Sequence, residues 1–141
     1  MKLKEIMTRD VEVIHPDDPL QSAAQKMRER DIGFLPVCDG DRLIGVVTDR
    51  DIIVRAIAEG RDPKAMMGRT LATAPVLYCF EDQTVDEAAQ IMQENQIRRL
   101  VILNRDKRLV GVVSLGDLAM NRPADQSGEV LQSVSEPDGT R

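Results

Sequence analysis

The chain passes through one sequence of hydrophobic patterns twice. A short extended run comes first, Val11-Glu12-Val13-Ile14 and later Val76-Leu77-Tyr78-Cys79-Phe80. The apolar positions then widen to helical spacing. Leu20, Ala23, Ala24 and Met27 fall at i, i+3, i+4 and i+7, as do Val85, Ala88, Ala89 and Met92. The spacing predicts one amphipathic helix per copy, with small alanines that let it pack closely on a sheet. At the first helix start Asp18 can cap and Pro19 suits the first helical position. At the second, Thr84 and Glu87 have capping-box spacing. Two strands follow in each copy, Phe34 to Cys38 with Leu43 to Thr48, and Arg99 to Leu103 with Leu109 to Ser114. The turns between them, Asp39-Gly40-Asp41 and Asn104-Arg105-Asp106-Lys107, have hairpin chemistry. Ile44 to Val47 and Val110 to Val113 are apolar on both faces, which predicts strands covered on both sides. A second helix over Asp51 to Ala58 ends near Gly60. Its counterpart, Leu115 to Met120, is cut off by Pro123.

The likeness between copies extends to residue identity. Ala23-Ala24-Gln25-Lys26-Met27 returns as Ala88-Ala89-Gln90-Ile91-Met92, a shift of 65 (88 − 23). Leu43-Ile44-Gly45-Val46-Val47-Thr48-Asp49-Arg50-Asp51 returns as Leu109-Val110-Gly111-Val112-Val113-Ser114-Leu115-Gly116-Asp117. There the shift is 66 (111 − 45), because Lys107 is one extra turn residue. Two copies of one supersecondary unit imply a pseudo-two-fold molecule with paired, related clefts. A half of about 60 residues buries its own core poorly, so the repeats are expected to share an interface.

Composition narrows the function classes. Aromatics make up 2% of the 141 residues, so Val, Ile, Leu, Ala and Met must build the core. A net charge of −5 argues against a nucleic-acid binder, whose footprint would be basic. No run approaches the roughly 18 apolar residues of a membrane span, and the start of the chain lacks a signal-peptide pattern. A cytoplasmic location is therefore expected. Cys38 and Cys79 form no CxxC pair and read as buried free thiols. His15 is the sole histidine. It lacks partners for a metal site or a catalytic triad and reads as a surface loop residue.

Each unit is strand, helix, strand, strand, helix, and ends in Gly-Val-Val-Thr-x-x-Asp or Gly-Val-Val-Ser-x-x-Asp. At these residues, and at Leu35-Pro36-Val37, the chain resembles the CBS-domain family, specifically a tandem pair known as a Bateman module. The resemblance runs from about Ile6 to Met120. It implies an α+β fold of two pseudo-symmetric β-α-β-β-α repeats packed as one module. Repeat 1 would span residues 6–60, a linker 61–71, repeat 2 residues 72–120 and a disordered polar tail 121–141. The second copy departs from the pattern at Val101 and at its opening, Leu71-Ala72-Thr73, which makes the two sites unequal.

The resemblance further implies an adenosyl ligand (AMP, ADP or ATP, or NAD or S-adenosylmethionine) in clefts between the repeats. It implies regulation of a partner or of an assembly state and association as a homodimer. An enzyme such as a nucleotide hydrolase is disfavoured by the residues themselves, since the sequence offers no paired acid/base groups, metal ligands or activated nucleophile. The motif suits that ligand. The carboxylate of Asp51 or Asp117 has only acceptor sites and can take both donors of a ribose diol. Thr48 or Ser114, with the first N–H groups of the helix, presents the polarity a phosphate needs. The same residues also suit a plain helix start, with Ser114 as N-cap and an aspartate in the first turn. Arg98 and Arg99 are phosphate candidates of which at most one faces a given cleft, since neighbouring strand residues point to opposite faces. Arg50 is a third. For the adenine, family geometry draws on the opposite repeat: Val11, Val13, Ile32 and Gly33 for Asp117, and Val76, Tyr78 and Ile97 for Asp51. Ile52, Val54, Ile57 and Met92 are candidates for an association face, with internal core as the alternative. The competing function is a structural dimerisation adaptor with empty clefts.

Overall fold

The computed structural model describes residues 1–74 and 76–121. Pro123 and all of the expected tail except Asn121 lie outside the described residues. The chain divides into two compact units. A continuous unit is formed by Glu12–Val76, and a split unit joins Met1–Val11 to the chain from Leu77 onward.

In the continuous unit, helix α1 spans Leu20–Arg30 and strands β1 (Phe34–Asp39) and β2 (Arg42–Thr48) form an antiparallel hairpin. The expected opening strand shrinks to a single parallel bridge between Ile14 and Val37. Its neighbours are diverted to side chains. The Val13 carbonyl accepts from Lys26 Nζ at 2.6 Å, and the His15 N–H donates to Asp18 Oδ2 at 2.9 Å. Asp18 is therefore not the cap of α1. The helix has Pro19 at its N-cap and no side-chain cap. The Leu20 and Gln21 N–H groups instead donate to the Met66 and Pro63 carbonyls. After β2 the chain enters α2 (Asp49–Asp51) and continues as a π-helix over Ile52–Ile57. Short α3 spans Gly68–Leu71.

The split unit has β3 (Tyr78–Phe80), α4 (Val85–Asn95), β4 (Arg99–Leu103), β5 (Leu109–Ser114) and α5 (Leu115–Met120). Its sheet order is β3-β4-β5, parallel then antiparallel. The capping box predicted at Thr84 and Glu87 is present at the start of α4.

Each body is closed by a segment from outside its own repeat. In the split unit Val85 N–H donates to Met1 O, Leu3 N–H to Gln83 O, and Thr8 and Val112 exchange two backbone bonds. In the continuous unit Leu20 donates to Met66 O, Gly68 to Asp18 O, and Thr73 and Val46 exchange two. Residues 1–8 thus serve the second repeat and 66–73 the first. The helical stripes lie in the two cores, Leu20, Ala23 and Met27 with Leu35, Val37 and Val47, and Val85, Ala88, Ala89 and Met92 with Leu100, Ile102 and Val113. Ala24 is the exception to the predicted stripe and is exposed where its counterpart Ala89 is buried. Ile52 and Met92 belong to the cores, whereas Ile53, Val54 and Ile57 on the π-helix are exposed. No helix of the described residues is long and apolar enough to cross a membrane.

Candidate functional site

The two Gly-Val-Val-[Thr/Ser]-x-x-Asp motifs have the same local geometry. The Thr48 N–H donates to Asp51 Oδ2 at 3.0 Å, and the Asp51 N–H donates to Thr48 Oγ1 at 3.1 Å. Ser114 and Asp117 repeat this at 2.9 and 3.1 Å. Both motifs are therefore reciprocal capping boxes, and the helix-start role that the sequence left open is filled. The box engages one oxygen of each acid. Asp117 Oδ1 takes no hydrogen bond from a described residue, while Asp51 Oδ1 has Arg55 Nη1 at 3.9 Å. An ionised carboxylate offers about four lone-pair sites, so each retains acceptor capacity.

The expectation that the first N–H groups of these helices face a phosphate needs correction. Asp49 N–H donates to Gly33 O at 2.9 Å, and Leu115 N–H donates to Arg98 O at 2.8 Å. Arg50 N–H donates to Asp49 Oδ1 at 2.8 Å. With Asp51 and Asp117 bonded to the hydroxyls, Gly116 alone of these six residues has an N–H without a partner among the described residues. The glycines at the strand centres, Gly45 and Gly111, are crowded by residues far away in sequence. A Cβ on Gly45 would lie 2.9 Å from Thr73 O, and one on Gly111 would lie 2.6 Å from Met7 Sδ and 3.0 Å from Thr8 O. They admit the closing segments rather than a ligand.

Those Gly33 and Arg98 carbonyl bonds draw the turn before each middle strand alongside its motif. In the continuous unit Ile32, Gly33, Thr48, Arg50 and Asp51 are gathered. In the split unit Ile97, Arg98, Arg99, Ser114 and Asp117 are, with Arg99 opposite Ser114 in the β4–β5 register. Arg98 and Arg99 are exposed, and neither forms an ion pair with a described residue. Val13 and Val76 lie in the continuous unit, and Val11 and Tyr78 in the split unit. All four are half-buried, and the Val13 carbonyl is already engaged by Lys26. The Tyr78 ring meets Phe80 edge to face, with centroids 5.4 Å apart. Arg105 lies 4.2 Å over the Phe80 ring and is held in a fork by Asp82.

Two residues near the motifs were missed from sequence. Asp49 occupies an unassigned position of the Thr-x-x-Asp pattern, and its uncharged counterpart Leu115 is the signal that sets it apart. Arg55 donates to Leu71 O at 3.0 Å as well as approaching Asp51. His15 is exposed, with Nδ1 accepting from the Asp17 N–H and Nε2 3.6 Å from Asp39 Oδ1. Cys38 and Cys79 are buried free thiols, each pushed up to about 11 by burial, with Asp41 and Glu87 respectively adding to the rise. Among the described residues no cluster of three or more His, Cys, Asp or Glu side chains could hold a metal ion.

The family model of the CBS domain matches residues 3–57 and again 69–122. Hypoxic response protein 1 of Mycobacterium tuberculosis is 36% identical over 135 residues, which cover 95% of this chain and 94% of that protein. The CBS domain-containing protein YhcV of Bacillus subtilis is 36% identical over 134 residues, 94% of each chain. The crystal structure of Hypoxic Response Protein I with two coordinated zinc ions superposes with a TM-score of 0.80 at 38% identity, covering 87% of this chain and all of that one. The same fold is found in CBSX2 in complex with AMP, with a TM-score of 0.74 over 85% of this chain and 94% of that one at 23% identity. It is found too in the CBS domain pair of protein MJ0100 in complex with 5-methylthioadenosine and S-adenosylmethionine, with a TM-score of 0.75 over 86% and 94% at 24% identity. Two family matches on two matching capping-box motifs make this chain a member of the CBS-domain family that carries the domain twice.

Proposed function

We propose that the chain is a regulatory module that binds an adenosyl nucleotide, with AMP or ATP the first ligands to test and NAD and S-adenosylmethionine after them. The observation that carries the reading is the half-used carboxylate. The capping box holds Asp117 Oδ2 in place and leaves Oδ1 as an acceptor for ribose hydroxyls. A carboxylate fixed in this way loses little side-chain freedom when it binds. Hydrogen bonds to a charged acceptor are worth about 1.5–3 kcal/mol each. Arg98 or Arg99 beside the motif supplies charge for a phosphate. The ligand classes seen in CBSX2 and protein MJ0100 agree with this choice. Binding regulates a partner or an assembly state only if the ligand prefers one of two states. The exposed Ile53, Val54 and Ile57 favour assembly as a homodimer, and a chain that sediments as a monomer at every concentration tried would remove that part.

A second reading, the adaptor without ligand, is favoured by the capping role that both aspartates already fill. Thermal unfolding with each ligand separates the two, since a ligand at 100 times its Kd adds about 2.7 kcal/mol. Stabilisation by none of them would leave the adaptor. Asp117→Ala is expected to weaken nucleotide binding at least about tenfold by titration calorimetry. Unchanged affinity would refute the ribose role.

A further inference from the structure

We infer that Arg55 is a positioning residue that couples the Asp51 carboxylate to the closing segment 66–73, so that a sugar held by Asp51 tightens that segment. The inference deepens the adenosyl-ligand reading above and rests on it. All the contacts lie within the continuous unit. Arg55 Nη1 donates to Leu71 O at 3.0 Å. The same nitrogen reaches Thr73 Oγ1 at a long 3.5 Å and stands 3.9 Å from Asp51 Oδ1. It carries two hydrogens. One is committed to Leu71. The other is divided between a hydroxyl of the closing segment and the carboxylate oxygen that the capping box leaves for ribose.

The closing segment docks on the strand that leads into the motif. Thr73 and Val46 exchange two backbone bonds, at 2.9 and 3.3 Å. Beside them a Cβ on Gly45 would come within 2.8 Å of Ala72 Cβ, so the two backbones are in close contact. Leu71 is buried in the core of the unit. A ribose hydroxyl that donates to Asp51 Oδ1 satisfies the charge that draws Arg55 Nη1 away from Thr73. The second N–H then settles on Thr73 Oγ1. This exchange of acceptors leaves the net charge of Asp49, Arg50 and Asp51 unaltered. By linkage, the docked segment favours the sugar as much as the sugar favours the docked segment. The split unit has no such tie. Asn121 stands in the place of Arg55, and its Nδ2 donates back to Asp117 O at 2.7 Å. Arg9 of the leading arm donates to Lys4 O of that same arm.

The test follows backbone amide exchange of the full chain by NMR, with and without saturating adenosine. An amide that exchanges through local opening slows by the ratio of ligand affinities of the closed and open forms. The Thr73 N–H, bonded to Val46 O, is expected to slow at least about fivefold with adenosine. Arg55→Ala is expected to cut that slowing to less than about twofold. Thr73→Val removes the hydroxyl, keeps the N–H at position 73 and leaves Arg55 with Leu71. It is expected to cut the slowing as well, and it carries the test should Arg55→Ala fail to fold. Slowing at position 73 that persists in both variants overturns the inference. So does adenosine binding that leaves Thr73 exchange unchanged in the unaltered chain. Either result leaves the adenosyl reading intact. Binding of neither adenosine nor AMP by the unaltered chain overturns the adenosyl reading itself, and this inference with it.

Discussion

The continuous and split units share the main-chain bonds that build them. Met66 O caps α1 as Met1 O caps α4, and Thr73 pairs with Val46 as Thr8 pairs with Val112. The Gly33 and Arg98 carbonyls anchor the second helices in the same way, and both hairpins shift register at one equivalent step, Val37/Cys38 and Ile102/Leu103. The side chains around the motifs diverge. Asp49 corresponds to Leu115 in the repeat, Gly33-Phe34 to Arg98-Arg99, and Arg55 to Asn121. Scaffold geometry is therefore common to the two copies, whereas charge belongs to each separately. A tandem repeat of this kind can keep one backbone scaffold twice while the side chains around each motif change.

The comparison can be broken most forcefully in the cores. Leu35 and Leu100 are equivalent and almost fully buried. Leu35→Ala and Leu100→Ala are each expected to destabilise by about 2–5 kcal/mol in denaturant titrations. Hydrogen exchange should accelerate first in the unit that carries the substitution. If both substitutions loosen the same unit, the units are not energetically distinct.

A smaller effect separates the first helices. Thr84→Ala removes the cap of α4 and is expected to destabilise by about 0.5–2 kcal/mol. The equivalent position at α1, Pro19, has no side-chain cap to lose, so Pro19→Ala should change stability less. Equal losses on thermal unfolding would contradict the difference in capping.

The smallest effect is in acid. The Arg105 hydrogen bond holds Asp82 below the usual carboxylate range, that of Gln83 lowers Glu87, and that of Arg69 lowers Asp17. A depressed folded pKa means that the unfolded chain takes up the proton first as pH falls. The contribution is therefore present above the ordinary carboxylate pKa of about 4 and is lost below it, toward the folded values. Two of the three groups lie in the split unit, which should weaken more in acid. Asp17 and Glu87 are exposed and Asp82 is half-buried at the surface, so the effect is small and shrinks with salt. Asp82→Asn should narrow the stability difference between about pH 7 and about pH 3. An unaltered difference would show that the Arg105 contact contributes nothing.

Most of the fold was legible because its signals are local. The i, i+3, i+4, i+7 stripes and the Thr84–Glu87 spacing predicted α1, α4 and a cap. Both strands of the second hairpin, Arg99–Leu103 and Leu109–Ser114, appear with the expected ends. The failures were set by tertiary contacts. Asp18 has the composition of a cap, but the α1 start is already closed by the Met66 and Pro63 carbonyls. The run Val11–Ile14 has strand composition, but Lys26 and Asp18 take its neighbouring backbone groups. The π-helix at Ile52–Ile57 has no periodic signature in so short a stretch. At the site, the motif residues were legible from the duplication. Their residue types suit a ribose and a helix start equally, so nothing local shows that their hydrogen bonds run first to their own helix start. The closing role of Gly45 and Gly111 depended on segments far away in sequence and could not be read locally.

The exchange of closing segments has a consequence for synthesis. Thr73 follows Val46 by 27 residues (73 − 46), whereas Val112 follows Thr8 by 104 (112 − 8). At roughly 5–20 residues per second on the ribosome, the leading arm waits about 5–20 s for its mate. The first repeat can close long before that, while the arm trails unclaimed. During that interval an arm from one nascent chain can pair with the Val112 strand of another chain whose own arm has not yet docked, so crowded polysomes are where strand exchange between molecules should begin.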